Sequence, residues 1–397
     1  MKKRTKIIIG TILITIILVS GVIILWKKVP KNLETPSDNN NEIEKTSDKT
    51  LPLSPEKVYF SVSKIDKLSN YVSKHKEADD ITALKVEKNK FILELNDCIT
   101  NDITFITKYL LIYDLDKDTV EEIKYTGDDR IWSVSLFNNK IYYTAINYDY
   151  KKEKVDFKVI EADKNLKTRK ILDQGQVNDV MFSPKFQASD NNLFYVYVDN
   201  YKDSTSNYSK FSVKMIEKDD NITEITSGFY DYGNQTGTTF VSIDSLKIYN
   251  NNLYFETYSN NYARENKYDI ANKTLKEIYS YEVKDDNYVI NDFYEGKDYN
   301  FYTYLLPKKT YDGGARYYND TTKVEVPISE YKNITRLNDN LYVISSMSQF
   351  YLLNLNTQKL NRLASYYVIN TIYGVYGDKL IGWNYTSHDY FIININQ

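Results

Sequence analysis

Cysteine occurs once in 397 residues, at Cys98, so no disulfide can form within the chain. Histidine occurs twice, at His75 and His388. Two imidazoles and one thiol are too few to build a zinc site on nitrogen and sulfur ligands. No G-x-S-x-G elbow accompanies either histidine, which removes the local signature of an α/β-hydrolase nucleophile. Cys98 follows Asn96-Asp97 with no basic neighbour to lower its pKa, so it reads as a buried or edge thiol. Glycine is scarce, with 13 residues. Its one adjacent pair, Asp312-Gly313-Gly314, matches no phosphate-binding fingerprint and reads as a turn in a long loop. These absences leave no expected catalytic, cofactor-binding or metal-ligating residue.

Acids outnumber bases only beyond the first 31 residues. Lys2, Lys3, Arg4, Lys6, Lys27, Lys28 and Lys31 stand there without a single acid, which leaves residues 32–397 with a net charge of −10. Such an acidic surface excludes nucleic acid as a partner. It also opposes flat adsorption on anionic lipid.

What is abundant is tyrosine, 39 residues against 7 prolines, and tyrosine favours strands. The one long apolar run is Ile7–Trp26, twenty residues without charge. At ~1.5 Å per residue it spans ~30 Å, the thickness of a bilayer core. With no small-x-small cleavage site after it, the run is expected to be an uncleaved signal-anchor helix. Five positive groups including the α-amino group precede it and three follow it closely. The positive-inside rule therefore places residues 1–6 in the cytoplasm and the rest outside. Residues 27–56 are polar and proline-punctuated, a linker. An exported domain without disulfides suits a Gram-positive cell surface. The expected localisation is the cell membrane, single-pass.

From residue 57 the chain repeats. An asparagine-rich turn followed by an apolar strand occurs at Asn138-Asn139-Lys140-Ile141-Tyr142, Asn191-Asn192-Leu193-Phe194-Tyr195 and Asn251-Asn252-Leu253-Tyr254-Phe255. It returns at Asp339-Asn340-Leu341-Tyr342, at Gly377-Asp378-Lys379-Leu380, and in weaker form at Lys88-Asn89 and Lys297-Asp298. Asparagine tolerates positive φ, which a tight hairpin needs. A second hairpin follows each copy, as in residues 110–123, 213–225 and 351–363. Each period thus holds four antiparallel strands, the composition of a propeller blade. The strands are apolar on both faces, as blades packed between neighbours require. The expected fold is an all-β β-propeller over residues 57–397. Turn copies count seven blades, with six or eight as the alternatives. The last strand, 391–397, lacks a partner, and Lys57–Val62 is the expected closing strand because an open ring would expose two edges. Residues 64–80 break the pattern as a short helix or loop.

Asp114-x-Asp116-x-Asp118 has the start of a calcium loop, but Thr119 and Tyr125 stand where such a loop needs Gly and Glu. The same place in other copies is a polar turn, so the triplet reads as part of the repeat. Aromatic loops at 147–157, 229–237, 258–268 and 384–390 would gather at a rim and suit sugar or peptide contacts.

On this rhythm and hairpin composition the chain resembles the clostridial-type, membrane-anchored β-propeller surface proteins with Tyr/Asn-rich repeats, of the TolB-like and DUF5050-type propeller groups. The resemblance covers residues 57–397 and implies protein or ligand binding without catalysis. The expected function is therefore a non-catalytic, membrane-anchored binding protein with a protein or cell-wall glycan partner. Two alternatives are a propeller hydrolase or lyase acting at the central funnel, and a structural scaffold of an envelope complex. Several ionisable side chains converging on the central opening would favour the enzyme.

Overall fold

The computed structural model describes residues 49–395, except 76–79, 100–103, 150–153, 178–179, 181–182, 203–206, 232–235, 238–239, 242–245, 260–261, 283–288, 306–312, 320–321, 327–330, 347–348, 365–368 and 385. The expected membrane helix at 7–26 lies outside these residues. Among them, no helix is long and apolar enough to cross a membrane.

Four-stranded antiparallel units follow one another along the chain. Blade one consists of Asp80–Glu87, Lys90–Ile99, Thr104–Asp114 and Thr119–Lys124. Blade two is Arg130–Phe137, Lys140–Asp149, Lys154–Ala162 and Arg169–Val177. Blade three is Phe186–Ala188, Asn192–Lys202, Asn207–Glu217 and Ile222–Asp231. Blade four is Lys247–Tyr249, Asn252–Ser259, Tyr262–Asp269 and Thr274–Glu282. Blade five is Val289–Tyr294, Asn300–Leu305, Gly313–Tyr318 and Lys323–Val326. Blade six is Tyr331–Asn338, Leu341–Ser346, Phe350–Asn354 and Lys359–Ala364. Blade seven has Thr371–Tyr376, Lys379–Asn384 and Asp389–Ile395, with its fourth strand borrowed from Leu53–Lys64.

The turns explain the repeat. Between the first two strands of blade two, Asn138 and Asn139 both take positive φ, 50° and 61°. Asn250 and Asn251 do the same in blade four, at 46° and 57°. Two consecutive positive-φ residues make a type I′ turn, whose twist matches that of the strands it joins. In the second hairpin of blade one, Asp114 Oδ1 accepts from the backbone N–H groups of Asp116 and Lys117. Asp269 and Asn354 do the same job in blades four and six. The aspartate triplet is thus held as an Asx turn of the repeat.

Blades pack through their apolar faces. Ile92, Leu110 and Ile112 of blade one meet Ile131, Val134 and Tyr143 of blade two. Phe301 and Tyr317 of blade five meet Ile334 and Tyr342 of blade six. Each fully buried side chain of this size contributes about 1.5–3 kcal/mol. At the inner end, a Cβ on Gly374 would lie 2.9 Å from Val86 Cβ, so blades seven and one approach where only glycine fits.

The closing strand holds the ring as expected, with its register moved. Phe60 to Lys64 pair antiparallel with Ile395 to Phe391. Residues 57–59 instead pair parallel with Arg362–Ala364 on the outer edge of blade six. Lys49 and Thr50 pair parallel with Val324 and Glu325 on blade five. The expected linker, 27–56, therefore gives its last residues to the sheets, and the N-terminal stretch straps three blades. The segment after the strap forms the helix Asp66–Val72. Asp66 complements its N-terminus, while Leu68 and Val72, one turn apart, bury into the cluster shared by blades seven and one. The Gly313-Gly314 pair, expected in a loop, instead starts a strand, Gly313 opposite Leu305 and Gly314 opposite Tyr304.

Candidate functional site

The first strands of blades three to seven leave a central cavity of about 390 Å³. Its lining includes Lys247 and Tyr249 of blade four, Tyr294 of blade five, Arg336 of blade six, and Tyr373 of blade seven. Tyr254 and Glu295 also reach it. Cavities of this size accommodate small polar or aromatic ligands. Lys85 of blade one extends to the Phe186 carbonyl of blade three at 3.0 Å.

Strand alternation places the ionisable groups. Lys247 stands opposite Tyr254, and Tyr254 opposite Lys267, so the three form one row across blade four. That row faces blade five. Lys247 Nζ lies 2.6 Å from Asp292 Oδ1 and 4.6 Å above the Tyr294 ring. The Tyr254 hydroxyl donates to Glu295 at 2.7 Å, and Lys267 Nζ lies 2.5 Å from the same carboxylate oxygen. Two residues along, Glu256 and Glu265 oppose each other and are 6% and 4% exposed. The seam between blades four and five is thus charged along its inner half. Its apolar part holds Phe293 and Tyr302 as the buried members.

Arg336 is fixed from two sides. Its guanidinium lies 3.3 Å from the Tyr249 ring centroid and 2.6 Å from Asp339 Oδ1. Stacking and a charge-assisted hydrogen bond together orient its fork.

Proton affinities follow from these surroundings. Burial lowers the affinity of Lys247, but Tyr294 and Asp292 outweigh it and hold the ammonium above its ordinary value. Burial and the Glu295 carboxylate raise the Tyr254 phenol, which stays protonated at neutral pH. Burial, then the neighbouring Glu256, pushes the Glu265 carboxyl well above the glutamate range.

Residues singled out in the sequence lie elsewhere. His75 follows the short helix, 3.1 Å from Glu122, with its ring between Tyr71 and Tyr109. His388 sits in a blade-seven turn with positive φ, 6.0 Å from the Trp383 ring. Cys98 pairs with Phe105 in blade one. Neither histidine is among the described residues that line the cavity. The aromatic loops fall partly outside the described residues, at 150–153, 232–235, 260–261 and 385. Lys247, Arg336 and the two glutamates were missed because each looks like an ordinary strand residue. A charged residue at an inward position of a both-faces-apolar strand was the available signal.

No family model matches the chain, and no curated protein does. Among solved structures it is similar to an oligogalacturonate lyase in complex with manganese, with a TM-score of 0.46 and 8% identity over 87% of this chain and 99% of that one. It is also similar to the β-propeller domain of the trilobed protease from Pyrococcus furiosus, with a TM-score of 0.46 and 10% identity over 80% and 95% of the two chains. An acylaminoacyl peptidase aligns with a TM-score of 0.46 and 11% identity over 82% of this chain and 50% of its own. At these identities the likeness concerns the propeller fold alone. Neither the TolB-like and DUF5050-type groups nor a clostridial origin is among these matches.

The expected non-catalytic role, and the expectation that the chain is not an enzyme, do not stand beside these neighbours, which are a lyase and peptidases; that chemistry is said of those proteins alone. In this chain itself, ionisable groups converge on the central opening, the arrangement set out for the enzyme and not for the binding protein.

Proposed function

We propose that the chain is a propeller enzyme, a hydrolase or lyase, acting at the central channel. The convergence of Lys247, Glu295 and Arg336 with Tyr249 and Tyr254 on one cavity carries this reading. Arg336 and Lys247 supply fixed positive charge where negative charge develops on a bound substrate. Tyr254, protonated and hydrogen-bonded to Glu295, serves as general acid: its proton passes to the substrate oxygen, and the phenolate left behind is balanced by the Lys247 and Lys267 ammonium groups that flank it in the row. The cavity volume suits a substrate portion of one or two sugar or amino-acid residues. The test is turnover by the full chain on a panel of neutral and acidic oligosaccharides, peptides and esters. Tyr254→Phe keeps the ring and should slow the active substrate by about 10²–10⁴-fold. Silence across the panel, or an unchanged rate in Tyr254→Phe, would overturn the proposal.

The apolar run at 7–26 supports a tethered enzyme facing outward. Membrane fractionation with protease accessibility of intact cells tests it. Recovery of the full chain in the soluble fraction would reject it.

A further inference from the structure

Glu256 and Glu265 lie in adjacent strands of blade four in direct register. Directly opposed residues of an antiparallel pair carry their Cβ atoms about 4.5–5.5 Å apart, so their carboxyls meet. Both side chains are more than nine-tenths buried, against blade five. Among the described residues, blade four brings Lys247, Tyr254, Lys267 and Tyr279 to this seam, and blade five brings Asp292, Glu295, Tyr302, Thr303 and the Arg316–Glu325 pair. Lys247 is engaged by Asp292, and Lys267 by Glu295. With the two glutamates, the described residues of the seam hold three cations, Lys247, Lys267 and Arg316, the last engaged by Glu325, against five carboxyls. Full ionisation would set two like charges against each other on the opposed, buried pair. Two carboxyls so close in low dielectric cannot both ionise at neutral pH.

We propose that Glu256 and Glu265 share one proton at neutral pH and act as the proton store of the channel site. The catalytic half rests on the channel reading above, while the shared proton does not. The proton sits between the two carboxyls as an O–H···O⁻ bond, which leaves the pair with a single negative charge. Tyr254 precedes Glu256 by two residues and so shares its face of the strand. When Tyr254 gives its proton to a substrate oxygen, the pair is the neighbouring group placed to restore it. The proton moves to the phenolate as a solvent proton is delivered to the pair, so the pair keeps one proton and a single negative charge throughout. Nothing is oxidised or reduced, and each proton leaving the pair returns from solvent. The rise in the Glu265 proton affinity agrees with the geometry.

The experiment is infrared spectroscopy of the full chain over a pH series, with Glu256→Gln, Glu265→Gln and the double variant. The expected result is a carboxylic-acid carbonyl band worth one group at pH 7, lost on raising the pH and missing from the double variant. Glutamine is close in shape and keeps a hydrogen-bond donor in the pair. If a variant fails to fold, the wild-type pH series alone decides. A pH 7 spectrum without an acid band would overturn the shared proton. For the catalytic half, the pH profile of turnover should move in Glu265→Gln by more than the rate at its optimum falls. An unmoved profile would overturn that half. Turnover without the band sinks the pair and spares the channel reading, whereas the band without turnover sinks the channel reading and spares the shared proton.

Discussion

Phe60 stands directly opposite Ile395 in the sheet of blade seven, so the two ends of the ring meet in one antiparallel ladder. Ile393, two residues along, is 3% exposed and packs with Leu380 and Phe391. Ile393→Ala should cost about 2–5 kcal/mol in urea unfolding. Tyr59→Ala, at a position 54% exposed just before the ladder, should change stability by less than about 0.5 kcal/mol. Equal effects would mean that closure contributes little.

Glu265 binds its proton more tightly in the folded chain than in the unfolded one. Unfolding therefore releases a proton between the ordinary glutamate range and the raised value. Across that window the folded state loses stability as pH rises. Glu265→Gln removes the loss, so its stability relative to wild type should grow from pH 5 to pH 8. Thermal unfolding at several pH values measures this, and a gain that shrinks with pH contradicts it.

Asp114 behaves in the opposite sense. The hydrogen bond from Lys90 and those from the Lys117 and Asp116 backbone hold its carboxyl below the usual range. This stabilisation is present above the unfolded value and is lost as pH falls through the folded one. Asp114→Ala should cost about 1–3 kcal/mol at pH 7 and progressively less under acid. A cost that stays constant down to pH 2 would refute the assignment.

Lys247 and Asp292 join blades four and five at 2.6 Å. Lys247→Met should destabilise by about 1–3 kcal/mol, because the Asp292 carboxylate loses its ammonium. Adding Asp292→Asn should recover part of this. A strictly additive double mutant would show no coupling between the two.

Asn139 occupies the type I′ turn at a φ of 61°. Asn139→Ala should cost up to about 1–2 kcal/mol, because alanine lacks the short amide side chain that makes the left-handed region tolerable for asparagine. Asn139→Gly should be tolerated. Denaturant midpoints of the two variants separate these outcomes.

The blade rhythm was legible because turn chemistry is local. Asn138-Asn139 and Asp114 announce their hairpins by residue type alone, and two-faced apolar strands such as Leu193–Val196 announce burial on both sides. The closing strand was legible from the unpartnered last strand, but its register was not. Register depends on which of Val58, Phe60 and Val62 meets which cluster, and alternation alone allows several choices. The candidate site was illegible because it is assembled between blades. Lys247 and Asp292 are 45 positions apart in the chain, and Arg336 comes from yet another blade. Nothing local to any one of them marks the others as neighbours.

The strap Leu53–Lys64 is synthesised before every blade, yet its antiparallel partner is the last strand of blade seven. During translation it must wait, with an unpaired edge, until nearly all the chain has left the ribosome. Contacts of such long sequence separation slow folding and lengthen the time spent open to aggregation. A circular permutant that begins after Lys64 and carries the strap behind Ile395 would make that pairing local, and should refold faster from urea without a change in final architecture.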